Sequence, residues 1–440
     1  MTYEESLDWL SGLQGRGWRL GLDRMRAFVR AAGLEDVLGG PGSPIRYLHV
    51  AGTNGKGSVT AYLQSMLVAQ GYRTGGYFSP YVVDPRERIQ IDGELIAKDE
   101  FAAVATELRE VAERFDQTEE GGVTEFEVKT AMGFLAWKRA GVEVVALEVG
   151  LGGRLDATNV VTPAACAIVS ISLDHTKILG ETEAEIAREK GGILKPSVPA
   201  VIGIMSQEAS QAILEVGREV GAPVRRLGPP GSPVADVFLR SDDGIGVRVD
   251  TGRSQVVLVA GIDGMIQGFN AALAYAVIEA GGFLRDQEAA IRALAETRLV
   301  GRSQWIALRG KQVFVDGAHN SGSSSKLAMH LLALSEGRMD SEWTAIVGMV
   351  DGHNPKEFFD FGMKSPGLMK QVVGRVLTVP IDNPRALSPA TVAEAAASAG
   401  FEAEAFDSIE SALADAGSGP IVLTGSFYLV GEAMRLADNP

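Results

Sequence analysis

Apolar positions along this chain fall into two kinds of pattern. Short runs with no regular polar alternation, IRYLHVA (45–51), VVALEVG (144–150), CAIVSIS (166–172) and VPAVIGI (198–204), recur through the first half. VFVDGA (313–318), TAIVGMV (344–350), RVLTVPI (375–381) and PIVLTGS (420–426) repeat the pattern later. Runs of this length bounded by turn residues predict buried strands. Between them apolar residues return at helical spacing: Val59, Leu63, Met66 and Leu67 predict an amphipathic helix that stops at Gly71. Strands apolar on both faces and separated by helices imply parallel sheets covered on each side, so an α/β fold is expected.

The segment 225–260 breaks this rhythm, with Gly, Pro and Asp turns between short alternating runs such as VRV and VVLV. It predicts a small antiparallel insertion. A helix patterned through Ala290, Leu294 and Ala295 then ends near Thr297, and strand–helix alternation restarts. Two α/β domains of unequal size are expected, 1–297 and 298–440, in keeping with 440 residues at roughly 150 per domain.

Charge narrows the functional classes. The 41 Lys+Arg against 56 Asp+Glu give a net −15 with no basic run, which argues against a dedicated nucleic-acid binder. Any anionic ligand must be held by local geometry. The single Cys166 cannot form an internal disulfide, which suits a reducing compartment. The N-terminal MTYEESLDWLSGLQ lacks the basic start and apolar stretch of a secretory signal, and no window approaches 18 uninterrupted apolar residues. A cytoplasmic protein without membrane or nucleic-acid partners is expected.

The sharpest local signal is Tyr47-Leu-His-Val-Ala-Gly-Thr-Asn-Gly-Lys-Gly-Ser-Val59, a strand running through a glycine-rich turn into a helix. Gly52, Gly55 and Gly57 let the backbone, with Thr53 and Asn54, wrap a phosphate; Lys56 adds a full positive charge, and the Ser58 hydroxyl is placed to hold Mg²⁺. The pattern departs from the strict P-loop, because Gly57 separates the lysine from the serine. Glu148 ends a predicted strand, where a carboxylate lies on the ligand-binding edge of a parallel sheet. His175 follows another such strand end, and an imidazole there is either a metal ligand or a loop hydrogen bonder. By spacing alone Lys190 is a helix-terminal cation and nothing more.

Taken together, HVAGTNGKGSV, FSPYVVDPRERIQIDGELI (78–96), TEFEVKTAMGFLAWKR (124–139), LEVGLGGRLDATNVV and SLDHTKILGETEAEIAREKGGILK (172–195) resemble the folylpolyglutamate synthase/dihydrofolate synthase family of the Mur ligase superfamily. QGFNAALA (267–274), GRSQ (301–304), VDGAHN (315–320), NPRAL (383–387) and LTGSFYLVGE (423–432) extend the resemblance over nearly the whole chain. It implies a P-loop ATPase-like domain with a parallel sheet plus a smaller C-terminal Rossmann-like α/β domain, with ATP and the other substrates between them. By the same resemblance Lys56 and the loop glycines contact the phosphates, Ser58 and Glu148 hold one Mg²⁺, and Glu148 and His175 hold a second. Lys190 matches a lysine that becomes carbamylated and then serves the second metal. Asn270 and Arg302 would contact the nucleotide, Asp316 the ribose, and His319 the cleft. The FSPY segment and the 84–93 stretch would line the acyl-substrate channel. The implied reaction is ATP-dependent ligation of L-glutamate to the carboxylate of reduced folate, or also of dihydropteroate, through an acyl phosphate, by a chain expected to be monomeric.

Several positions depart from the family pattern: Ile266 before QxxN, Gln304 after GR, Ser321 after DGAHN, and EKGGI in place of EKAGI. GMVDGHNP (348–355) stands where the family has Gly-x-x-x-Asp-Lys-Asp, losing its lysine. A second reading is therefore a divergent amide ligase of the same family acting on a non-folate acid. A P-loop kinase or nucleotide switch fits less well, because the strand that would end in a magnesium-binding Asp ends in Glu148. A non-catalytic scaffold would not need Lys56, Glu148 and His175.

Overall fold

The computed structural model describes residues 1–14, 21–116, 118, 121–227, 235–240, 244–335, 342–360 and 367–438. The first sheet is built from β1 (Arg46–Ala51), β2 (Thr74–Tyr77), β3 (Ile89–Ile91), β4 (Glu94–Leu95), β5 (Val144–Glu148), β6 (Ala165–Ile168), β7 (Ala200–Ile202) and β8 (Val224–Arg226). Its spatial order is β4-β3-β2-β5-β1-β6-β7-β8, parallel except for the antiparallel edge made by β3 and β4. β9 (Ala235–Arg240), β10 (Gly244–Asp250) and β11 (Gln255–Ala260) form a separate three-stranded antiparallel sheet.

The final sheet contains β12 (Gln304–Leu308), β13 (Lys311–Val315), β14 (Trp343–Val347), β15 (Val373–Thr378), β16 (Glu402–Ala405) and β17 (Ile421–Thr424), in the order β12-β13-β17-β14-β15-β16. Only β12 runs antiparallel to its neighbour. The α/β expectation holds for both large sheets. The insertion is antiparallel as expected, but it begins later: Arg225 and Arg226 belong to β8 and pair in parallel with β7. The parts of that segment at 228–234 and 241–243 lie outside the described residues.

The helix Lys56–Ala69 corrects the amphipathic reading. It buries Gly57 through Gln64 together with Met66 and Leu67, because it lies between the first sheet and the helices Met265–Ala280 and Gln287–Glu296. A helix enclosed on every side needs no polar face. On the opposite sheet face, Lys98–Phe115 and Glu125–Ala140 pack a second core that includes Phe101, Phe134 and Trp137. The first sheet is thus covered on both faces, and its strand ends at the carboxyl edge are left to carry the site.

Candidate active site

Three neighbouring strands place the site. β1 lies between β5 and β6, with Val50 opposite Glu148 and Ala51 opposite Ile168. The glycine turn after β1, the carboxylate ending β5 and the segment after β6 therefore emerge side by side, as open parallel sheets arrange their ligand crevices.

The turn is fixed to the β6 side by its own backbone. Thr53 N–H donates to the Ser170 carbonyl at 2.7 Å, Thr53 Oγ1 donates to Ser172 O at 3.2 Å, and Ser170 Oγ donates to Asn54 O at 2.9 Å. Gly55 sits at φ +86°, and a Cβ there would lie 2.9 Å from Asn270 Oδ1. That position is closed to side chains twice over, by conformation and by contact. Asn270 donates to Gln267 Oε1 at 2.9 Å; it is buried against the turn and does not cap its helix, whose N-cap is Gly264. Lys56 Nζ lies over the loop, donating to Gly52 O at 3.1 Å and Thr53 O at 3.2 Å.

Glu148 is 2 % exposed, and its Oε2 accepts the Ser79 N–H at 3.0 Å. Burial pushes its carboxyl above the usual range, while Lys56, the Ser79 N–H and Arg302 pull it back down. Glu148 Oε2 and Arg302 Nη2 converge on Gly57: a Cβ built there would be 3.5 Å from the first and 3.8 Å from the second. Arg302 comes from the start of the C-terminal sheet region, with its guanidinium 3.8 Å from the Phe427 ring centroid. The deeply buried Glu148 carboxylate reaches Gly57, the residue before Ser58 in the first turn of the helix, and a carboxylate and a hydroxyl are the hard oxygen donors that suit Mg²⁺, so these residue types fit the expected metal.

Lys190 is buried at the end of its helix and donates from Nζ to Gly52 O at 3.0 Å. Burial, reinforced by Lys56, brings its amine down to about 7. Spacing gave no sign of this, since a helix-terminal lysine is ordinarily solvated. His175 occupies a left-handed position at φ +50° and heads a short helical turn. His319 holds its Nδ1 2.7 Å from Gly317 O, and burial pushes its imidazole down to about 3.

A cavity of about 200 Å³ gathers Lys56, Glu148, His175, Lys190, Arg302 and His319 along one wall or another, together with Ser79 and Pro80 of the FSPY segment. Asp316 accepts from Ser303 N–H at 3.0 Å and from Ala318 N–H at 3.0 Å, which orders the turn that carries His319. The 84–93 stretch is a helical turn with an Asp84–Arg86 ion pair followed by β3, which lies between β4 and β2; just before it, Ser79 and Pro80 line the cavity. Among the cavity residues with no role from sequence are Asp174, His353 and Arg385.

A glycine-rich turn at the carboxyl edge of one parallel sheet, faced by an arginine and a histidine from the second sheet region, is the arrangement of an ATP-dependent ligase. Residues 304–436 match the family described as dihydrofolate synthetase, C-terminal domain. The Escherichia coli dihydrofolate synthase/folylpolyglutamate synthase is 31% identical over 439 residues, 98% of this chain and 94% of that protein. An E. coli FolC structure in complex with DHPP and ADP superposes with a TM-score of 0.83 at 29% identity, covering 99% of this chain and 98% of that one. A bifunctional folylpolyglutamate synthase/dihydrofolate synthase with Mn, AMPPNP and L-glutamate bound gives 0.80 at 29%, covering 98% and 97%. The chain belongs to the dihydrofolate synthase/folylpolyglutamate synthase family and is an ATP-dependent acid–amino-acid ligase. These likenesses favour the folate reading over a non-folate acid. No helix among the described residues is long and apolar enough to cross a membrane.

Proposed function

We propose that this chain joins L-glutamate to the carboxylate of reduced folate, and also to dihydropteroate, using MgATP. The carrying observation is the convergence of Glu148 and Arg302 on Gly57 of the phosphate turn, which puts opposite charges from two sheets at one phosphate-sized point. A carboxylate does not react with an amine at neutral pH, because its oxygen is a poor leaving group. Transfer of the γ-phosphoryl of ATP to that carboxylate makes the acyl phosphate, which the glutamate amine attacks to release phosphate.

Lys56 and Arg302 would neutralise charge on the transferring oxygens, while the turn amides hold the remaining phosphates. Ser58 and Glu148 would hold one metal ion and Glu148 and His175 a second, and such ions would supply Lewis-acid neutralisation of the phosphoryl oxygens. Asn270 packs against the turn on the nucleotide side, and Ser79–Pro80 against the acyl side. His319 would orient the incoming amino acid across the cleft. Lys190 is proposed to carry a carbamate: a buried amine near neutrality is unprotonated often enough to add CO₂, and the product exchanges a cation for an oxygen ligand. We place the domain boundary near residue 298, giving domains 1–297 and 298–440.

Lys56→Ala, Glu148→Ala and His175→Ala should each remove glutamate-dependent ADP formation. Near-normal rates in all three would sink the assignment of these residues.

A further inference from the structure

The segment GMVDGHNP delivers His353 to the cavity. His353 Nδ1 lies 3.5 Å from Asp174 Oδ1. The His319 and His353 rings are 4.6 Å apart between centroids. One ligand atom from each of Asp174, His319 and His353 falls within 4.8 Å of the others, and no other such group of three occurs among the described residues. Two nitrogen or oxygen ligands on one tetrahedral ion, each about 2.1 Å from it, stand about 3.4 Å apart. The Asp174–His353 spacing already matches that.

The surroundings orient these ligands as metal sites require. His319 Nδ1 is engaged with the Gly317 carbonyl at 2.7 Å, so in the tautomer that donates to this carbonyl its Nε2 carries the free lone pair. Asp174 is fixed on both oxygens: Oδ1 accepts the His175 N–H at 2.9 Å and Oδ2 accepts Asn320 Nδ2 at 2.9 Å. Asn320 in turn pairs with Asn54 of the phosphate turn at 3.2 Å. His175 is excluded from the group of three.

We propose that Asp174, His319 and His353 bind a transition-metal dication of the zinc class at a position separate from the nucleotide magnesium, bridging the segment after β6 to the C-terminal sheet. Two imidazoles and one carboxylate select zinc, cobalt or nickel over magnesium, which prefers oxygen donors. Three protein ligands leave one position facing the cavity.

The test uses tag-free full-length protein, stripped with chelator and titrated with Co²⁺ in the absence of nucleotide. The site predicts one Co²⁺ per chain with the intense visible absorption of a four- or five-coordinate ion. His353→Lys should abolish the band, and so should His353→Asn, whereas Glu148→Gln should keep it; circular dichroism checks that each variant is folded. No visible band in the wild type overturns the proposal, as does a band that survives both His353 substitutions. The readout is independent of ligase activity, so its failure leaves the ligase reading standing.

Discussion

Individual residues carry most of the chemistry. A single cation, Lys56, spans its own loop and is free to exchange the Gly52 and Thr53 carbonyls for phosphate oxygens. Removing one such charge-stabilising group typically costs about 10²–10³ in turnover, which is the size of effect expected for Lys56→Ala in ADP release with saturating substrates. Gly55 is a conformational requirement: Gly55→Ala meets a left-handed penalty of roughly 1–2 kcal/mol and a contact with Asn270. Nucleotide affinity measured by calorimetry should fall at least tenfold, and unchanged affinity would show that the turn rearranges freely.

Lys190 gives a pH-dependent prediction. With its amine at about 7, the neutral form dominates above that pH and the ammonium below it, so CO₂ addition is lost as pH falls through 7. Native mass spectrometry in bicarbonate should show one added CO₂ at pH 8 that is absent in Lys190→Arg. An identical spectrum for both proteins would rule the carbamate out. The same shift sets a folding linkage: the unfolded chain binds more protons than the folded one between 7 and 10.5, so this group adds stability as pH rises through that window and removes it as pH falls.

Among the elements, those that place the site were the most legible in sequence. Long apolar runs gave β1, β5 and β6 because central parallel strands are buried on both faces. β2 was missed because TGGY does not look like a strand. Its glycines answer to packing: a Cβ at Gly75 would stand 2.8 Å from Trp137 Nε1, and one at Gly76 2.4 Å from the Gln64 amide. β16, EAEA, is a polar edge strand with no apolar signature to read. The GMVDGHNP segment was read as the loss of a lysine, and only the fold shows the histidine arriving beside Asp174. The helix Ser321–Leu334 also joins element to site, since its N-cap Asn320 accepts from Ser323 N–H while bonding Asp174 and Asn54. Asn320→Ala should therefore destabilise the fold by about 1 kcal/mol, as lost caps do, and also lower ligase turnover. A melting temperature that falls without any change in turnover would confine Asn320 to capping.

At the scale of the whole molecule, the acidic net charge of −15 and the anionic substrates are reconciled locally. In the proposed reaction, turn amides, Lys56, Arg302 and the metal would concentrate positive potential at one point, while the excess of carboxylates serves solubility. The two large sheets meet where the FSPY loop presses on the last helix: a Cβ at Gly431 would lie 2.0 Å from Val82 O. Gly431→Ala should push that loop away, raising the KM for the acyl substrate more than that for ATP. Equal changes in both would mean that the contact matters only for stability.

The proposed ligation has two sheets cooperate to activate a pterin carboxylate and hand it to glutamate. Its most direct measurement offers the purified protein ATP, L-glutamate and a panel of reduced folates and dihydropteroate, following ADP release and product mass together. The expected result is one added glutamate on a folate or on dihydropteroate, matched mole for mole by ADP. ADP release independent of glutamate, or no mass gain on any pterin, would contradict it.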